Sequence, residues 1–308
     1  MENKIAELIT NIEKVIVGKR QVIEYVVIDL LSCGHILIED IPGVGKTMLV
    51  RALAKSISAE FRRIQFTPDL LPSDITGVSI YNQSTHSFEF KPGPIFANVV
   101  LADEINRTTP RTQSGLLECM QEGRVTVDGI TYNLPQPFFV VATQNPMEFH
   151  GTYPLPECQL DRFLMKINVG YPQKSEEIKI LADRSNDDPI DKISAVMSKE
   201  EMINLQRQTN SVSLQEEILS LIVNIVEATR SHKDIKLGAS PRGSLALMQA
   251  SKSVAFMEGR DYVIPQDVRK VIVPVLSHRI TIEPTSVIKG IKAEEVLEDI
   301  ANKKISRL

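Results

Sequence analysis

The chain has 308 residues, 43% of them hydrophobic and 24% charged, which suits two domains with ordinary globular cores. A net charge of −4, the absence of Trp and an aromatic content of 5% argue against a basic nucleic-acid clamp or an aromatic stacking platform. The N-terminus, MENKIAELITNIEKVIVGKR, has no signal-peptide apolar core, and the apolar stretch Tyr25 to Ile38 is broken by Asp29, Ser32 and His35. The expectation is a soluble, cytoplasmic protein with no membrane span.

In chain order, short apolar runs alternate with helical patterns. The runs are His35–Glu39, Phe61–Phe66, Asn98–Ala102, Phe138–Ala142 and Phe163–Ile167. Continuous apolar strands separated by helices predict an α/β fold whose parallel sheet is covered on both faces. Two segments interrupt the rhythm. Ser79 to Phe90 contains short β-like pieces, and Arg124 to Tyr132 reads as a hairpin turning at Asp128-Gly129 between β-branched residues. After Gly170-Tyr171-Pro172 the chain reads as helical: Leu214, Ile218, Leu221, Ile222 and Ile225 form one stripe, Ser240-Pro241 is a helix start, and Pro265 to Leu276 is a further helix. The organisation expected is an α/β core over 1–172 and a helical lid over 173–308.

Three cysteines, Cys33, Cys119 and Cys158, show no C-x-x-C spacing and fit a reducing compartment. The histidines lack metal-ligand spacing.

Pro42-Gly43-Val44-Gly45-Lys46-Thr47 lies between a predicted strand and a predicted helix that opens with Met48. Such a loop places backbone N–H groups and the helix dipole around a phosphate; Lys46 reaches the β- and γ-phosphates of ATP and Thr47 supplies a hydroxyl to Mg²⁺. The strict consensus asks for Gly where this chain has Asp40, which leaves the geometry before Pro42 open.

Val99 to Ala102 ends in Asp103 and Glu104. Asp103 suits Mg²⁺ coordination and Glu104 suits activation of the attacking water; two solvated acids after a strand are the plain alternative. Asn145 ends the next strand, where it can orient that water or merely form a turn before Pro146. Arg162 precedes the last core strand and can act in trans on a neighbour's ATP, or form an ordinary ion pair with Asp161. Arg242 opposes the dipole in the first turn of its helix and so asks for an anion: an ATP phosphate or a nearby acid.

Taken together, IEDIPGVGKT, VLADEINRTTPRTQSGLLECMQEGRVTVDG, VVATQNP, LPECQLDRFLMKINVGYP and GASPRG resemble MoxR-type AAA+ ATPases, in order from about Val15 to Val268. That resemblance implies a five-stranded αβα core with a helical lid. It makes Lys46 and Thr47 part of Walker A, Asp103 and Glu104 Walker B, Asn145 sensor 1, Arg162 the arginine finger and Arg242 sensor 2. Val17 and Gly18 fall near the adenine. The segment near 79–90 becomes the helix-2 insertion, and 124–132 the pre-sensor-1 hairpin. ATP and Mg²⁺ are the implied ligands. The implied assembly is a homo-oligomeric ring, expected to be a hexamer, that matures protein clients such as von Willebrand factor A-domain proteins. Cys158 stands where the family has a small residue, which makes it a candidate redox-sensitive position. Arg107 and Arg111 read as surface ion pairs. The rival readings are a nucleic-acid motor, a metal-chelatase subunit and a nucleotide-gated scaffold; nucleic acid is not the expected partner.

Overall fold

The computed structural model describes residues 2–146, 151–183 and 188–306. Helices α1 (Glu2–Glu13) and α2 (Arg20–Leu31) lead into β1 (Ile36–Glu39), the glycine loop and α3 (Lys46–Ser56). There follow β2 (Phe61–Gln65), α4 (Pro72–Thr76), the antiparallel pair β3 (Gly77–Asn82) and β4 (Ser87–Pro92), β5 (Val99–Asp103) and α5 (Pro110–Glu122). A second hairpin, β6 (Arg124–Val127) and β7 (Ile130–Asn133), precedes β8 (Phe139–Gln144), the one-turn helix α6 (Glu157–Leu160) and β9 (Met165–Ile167). The C-terminal part holds α7 (Lys174–Asp183), α8 (Lys199–Asn210), α9 (Glu216–Ser231), β10 (Ile235–Leu237), α10 (Pro241–Met257), α11 (Pro265–Leu276), β11 (Thr281–Ile282), α12 (Pro284–Ile288) and α13 (Ala293–Ile305).

The five apolar runs form one sheet in the order β2-β5-β8-β1-β9, and every pairing is parallel. Alternate residues serve opposite faces. Ile36, Ile38, Val99, Leu101, Phe139 and Val141 enter a core shared with α1, α2, α3 and the C-terminal helices. Leu37, Val100, Ala102, Val140 and Ala142 enter a second core with α5, Phe66 and Phe163. Burial on both faces is why these strands read as unbroken apolar runs. Because all five run the same way, the sheet has one edge of carboxyl ends and one of amino ends, and the two present different chemistry.

Asp128 (φ 51°) and Gly129 (φ 79°) make the two-residue turn between β6 and β7. Phe90 of β4 stacks on Tyr132 of β7, with centroids 4.1 Å apart, so the two inserted hairpins touch. In the C-terminal part, the Ser240 hydroxyl accepts the Arg242 N–H at 3.2 Å and starts α10. The stripe Ile218, Leu221, Ile222 and Ile225 of α9 is buried. One feature departs from the helical reading: β10 and β11 pair antiparallel across the lid. Strands of two and three residues are too short to carry a sequence period.

Candidate functional site

The carboxyl ends of β1, β8 and β5 lie side by side, so the glycine loop, Asn145 and the Asp103-Glu104 pair come to one edge of the sheet. Gly43 (φ 87°) and Gly45 (φ 91°) hold backbone conformations that disfavour a side chain. A Cβ at either would meet nothing within 4 Å, so the space beside the loop is open. Pro42 and Gly43 are exposed, while Val44, Thr47 and Met48 are half-buried, with Val44 and Met48 resting on the main core.

Asp40 explains its own departure from the consensus. Its Oδ2 accepts the N–H groups of Val169 (2.7 Å) and Gly170 (2.6 Å), and its Oδ1 that of Ile41 (2.8 Å). Its carbonyl accepts the Lys46 ammonium at 2.7 Å. The side chain that replaces glycine therefore fastens the loop to the chain leaving β9. Burial lowers the Lys46 pKa, and the charges of Asp40, Asp103 and Glu104 oppose that shift.

Asp103 is buried at the end of β5. Its Oδ1 accepts the fully buried Thr143 hydroxyl at 2.6 Å, and its Oδ2 accepts Arg63 Nη2 at 2.6 Å. Glu104 has φ 60° and is held by its N–H, which donates to the same Thr143 oxygen at 2.9 Å. Its Oε2 accepts Gln65 Nε2 (2.7 Å) and Arg107 Nη1 (2.9 Å). Arg107 thus makes the ion pair expected of it. Asn145 is 7% exposed, and its carbonyl accepts Asn106 Nδ2 at 3.4 Å. Val17 and Gly18 reach the same end of the sheet. Lys19 donates to the Tyr171 carbonyl at 2.7 Å, and a Cβ on Gly18 (φ 74°) would collide with Glu176 at 1.9 Å.

An open glycine cradle beside a lysine and a helix N-terminus suits a nucleoside phosphate. The oxygen donors Thr47 and Asp103 suit a hard cation such as Mg²⁺, which keeps several waters. The residues therefore fit a magnesium nucleotide.

Arg162 and Arg242 lie elsewhere. Arg162 follows α6, three residues before the first residue of β9, and Arg242 opens α10. Both are exposed and line a cavity of about 270 Å³ with Ser32, Cys33, His35, Met120 and Asp161. His35 and Leu164 precede β1 and β9, so this cavity sits at the amino ends of the strands, opposite the glycine loop. The acid beside Arg242 is Asp161, whose Oδ2 is 3.9 Å from Arg242 Nη1. Burial pulls the His35 pKa down to about 4, so its ring is neutral and serves structure: Nδ1 accepts the Val140 N–H and Nε2 meets the Met120 carbonyl. Cys158 is exposed in α6, as is Cys33, whereas Cys119 is buried.

Sequence patterns did not single out Arg63, Gln65, Thr143 or Arg279. Arg63 and Gln65 alternate on the solvent side of an edge strand, a pattern that any edge strand shares. Thr143 is one polar residue in an apolar run, and Arg279 follows a helix with no local signal.

A five-stranded parallel sheet, a glycine loop at its carboxyl edge, an acidic strand end and a helical C-terminal lid define the class as an AAA+ ATPase. Two family profiles match the chain: the ATPase family associated with various cellular activities (AAA) over residues 35–165, and the AAA lid domain over residues 227–300. The uncharacterized protein YeaC of Bacillus subtilis is 54% identical over 96% of this chain and 92% of its own. Chaperone MoxR1 of Mycobacterium tuberculosis is 44% identical over 95% of this chain and 79% of its own. A crystal structure of a protein assigned as an ATPase from Cytophaga hutchinsonii superposes with a TM-score of 0.91 at 42% identity, covering 98% of this chain and 94% of that one. The chain belongs to the MoxR family of AAA+ ATPases. Among the described residues, no helix is long and apolar enough to cross a membrane.

Proposed function

We propose that this protein hydrolyses Mg-ATP as a homo-oligomeric ring, of six subunits in the family pattern, and uses the cycle to remodel or mature partner proteins. The observation that carries this reading is the separation of the candidate residues between the two ends of one sheet. The glycine loop and the acids lie at the carboxyl edge, and Arg162 and Arg242 at the amino edge. A surface that carries both halves of a site at opposite ends completes the site only with a neighbour, head to tail, and such contacts form a ring when the rotation between subunits closes.

In this reading Pro42 to Met48 cradle the phosphates, Lys46 neutralises the β- and γ-phosphoryl oxygens, and Val17 and Gly18 border the base. Thr47 and Asp103 hold Mg²⁺, which supplies charge neutralisation on the phosphoryl oxygens when bound. Glu104 accepts the proton of the attacking water, and Asn145 orients that water. Arg162 and Arg242 reach the next subunit's nucleotide and stabilise charge that develops on the transferring group. Three contacts support an idle state before assembly: Arg63 on Asp103, and Gln65 and Arg107 on Glu104.

A protein client is supported by the chaperone name of the M. tuberculosis relative and by apolar side chains on the paired hairpins, where Ile80, Tyr81, Phe88 and Ile130 are exposed. Von Willebrand factor A-domain proteins are the client class we put forward, and the cytoplasm is the compartment.

The test is Mg-ATP hydrolysis against protein concentration, with sizing in parallel, for the natural chain and for Glu104→Gln. Turnover should rise steeply as assemblies form and vanish in the variant. Turnover strictly proportional to a monomer concentration would overturn the ring reading.

A further inference from the structure

Arg279 follows α11 and is almost fully buried, with 3% of its side chain exposed. No step of the proposed cycle uses it, yet its guanidinium places every donor. Nε donates to Asp161 Oδ1 at 2.8 Å. Nη1 donates to the carbonyl of Leu164 at 3.0 Å and to that of Val275 in α11. Nη2 donates to the carbonyls of Phe163 at 2.6 Å and Asp161 at 3.3 Å. The bonds to the Asp161, Phe163 and Leu164 carbonyls straddle Arg162 on both sides. Beside them, buried His278 brings Nε2 to 3.0 Å from the Phe163 carbonyl.

The same guanidinium underlies Arg242. Asp161, held by Arg279 through Oδ1, turns Oδ2 toward Arg242 Nη1 at 3.9 Å and accepts the Ser240 hydroxyl at 3.4 Å. Ser240 is the cap of α10. Gly243, next to Arg242, lies beside the same side chain: a Cβ added there would be in ordinary van der Waals contact, 3.5 Å, with Arg279 Cδ. One buried side chain therefore supports two turns from different parts of the chain, and each turn carries one exposed arginine.

We propose that Arg279, acting through Asp161, is the positioning residue that fixes Arg162 and Arg242 at a set separation, so that the pair meets a neighbouring subunit's nucleotide as one unit. This rests on the trans role of Arg162 stated above. The geometry demands a guanidinium: a planar fork reaches four carbonyls and a carboxylate at once, whereas a lysine offers three donors from a single point. A lost hold costs turnover because misplacing a catalytic group by about 1 Å costs on the order of 100-fold.

The experiment uses the full-length chain and mixes subunits. Arg279→Lys, Asp161→Asn and Arg162→Ala are each assayed alone and in equal mixture with Lys46→Ala, which lacks its own phosphate lysine but presents intact arginines. Fluorescent ATP-analogue binding and melting temperature are measured for each. Asp161→Asn is the gentler variant, since it keeps the shape of the side chain. Alone, Arg279→Lys and Asp161→Asn should lose roughly 10- to 100-fold in assembly-dependent turnover while binding the analogue as the natural chain does. In the mixture each should regain activity, toward about a quarter of the natural rate if subunits mix at random around a closed ring, as Arg162→Ala also should. A merely structural role does not predict repair, because the damaged subunit would still hold the working phosphate loop.

Full turnover of Arg279→Lys and Asp161→Asn alone, beside a dead but repairable Arg162→Ala, would overturn the positioning role and leave the trans reading standing. A loss in both that Lys46→Ala does not repair, where Arg162→Ala is repaired, would overturn it as well. An Arg162→Ala that keeps full turnover, or that the mixture cannot repair, would remove the trans reading and this proposal with it.

Discussion

The carboxyl edge of the central sheet and its amino edge both gather charged side chains, but they hold them differently. At the carboxyl edge the partners of the acids are accessible: Arg63, which pairs with Asp103, is 48% exposed, and Arg107, which pairs with Glu104, is 44% exposed. At the amino edge the hub is sealed, with Arg279 at 3%. A pair whose arginine stays in water contributes little to stability and exchanges for a ligand at small cost. A buried pair loses far more when one partner is removed, because the other is left charged and dry. In the proposed cycle one edge trades partners when nucleotide arrives, and the other keeps two arginines where they are.

The sharpest way to break this comparison is at the exchanging edge. Glu104→Gln should lower turnover by roughly 10²- to 10⁴-fold, the usual share of a general base, while the fluorescent analogue still binds. Equal turnover in the variant would mean that another group activates the water.

Stability separates the two edges next. Arg279→Ala should lose about 3–5 kcal/mol, the range for breaking a buried pair, whereas Arg63→Ala should lose less than about 1 kcal/mol. Denaturant unfolding of both variants measures this, and similar losses would erase the distinction drawn above.

Asp29 sharpens the picture of the sealed edge. It is fully buried, and neither carboxylate oxygen completes a hydrogen bond of normal geometry. Burial raises its pKa well above 3.8, and the Arg279 charge and the Met165 amide only partly offset this. Folding therefore takes up a proton at Asp29, so its contribution to stability falls as pH rises from 3.8 toward the raised value. Asp29→Asn should remove that slope. Its advantage should grow by at most about 1.4 kcal/mol per pH unit across this window and disappear below it. Melting temperature against pH reads the sign, and an advantage confined to acid would reverse the assignment.

The smallest effect concerns the cation. Arg63→Ala frees Asp103, so half-maximal binding of the fluorescent analogue should need less Mg²⁺, by a few-fold, consistent with a pair whose arginine stays in water and is worth under about 1 kcal/mol. A Mg²⁺ titration of binding, with no turnover required, measures this, and an unchanged midpoint would make Arg63 a bystander.

Much of this molecule is legible locally. The five strands, the turn at Asp128-Gly129, the cap at Ser240 and the glycine loop each depend on neighbours a few residues away, through burial on two faces, positive φ or a free N–H. Asp40 marks the limit of that reading. The missing glycine was visible, but the contacts that replace it come from Val169 and Gly170, just past β9 at the edge of the sheet. The same holds for Arg63 and Gln65, which meet Asp103 and Glu104 because β2 and β5 pair in one particular register.

The sequence by itself determined the fold class, the family and which residues gather at the carboxyl edge, because period, turn residues and strand-end acids are short-range properties of the chain. Only the tertiary structure decided that Arg162 and Arg242 share the opposite edge, and that Arg279 holds them from 118 residues beyond Asp161. A buried guanidinium finds its acceptors by the packing of distant elements, and no local pattern encodes that distance.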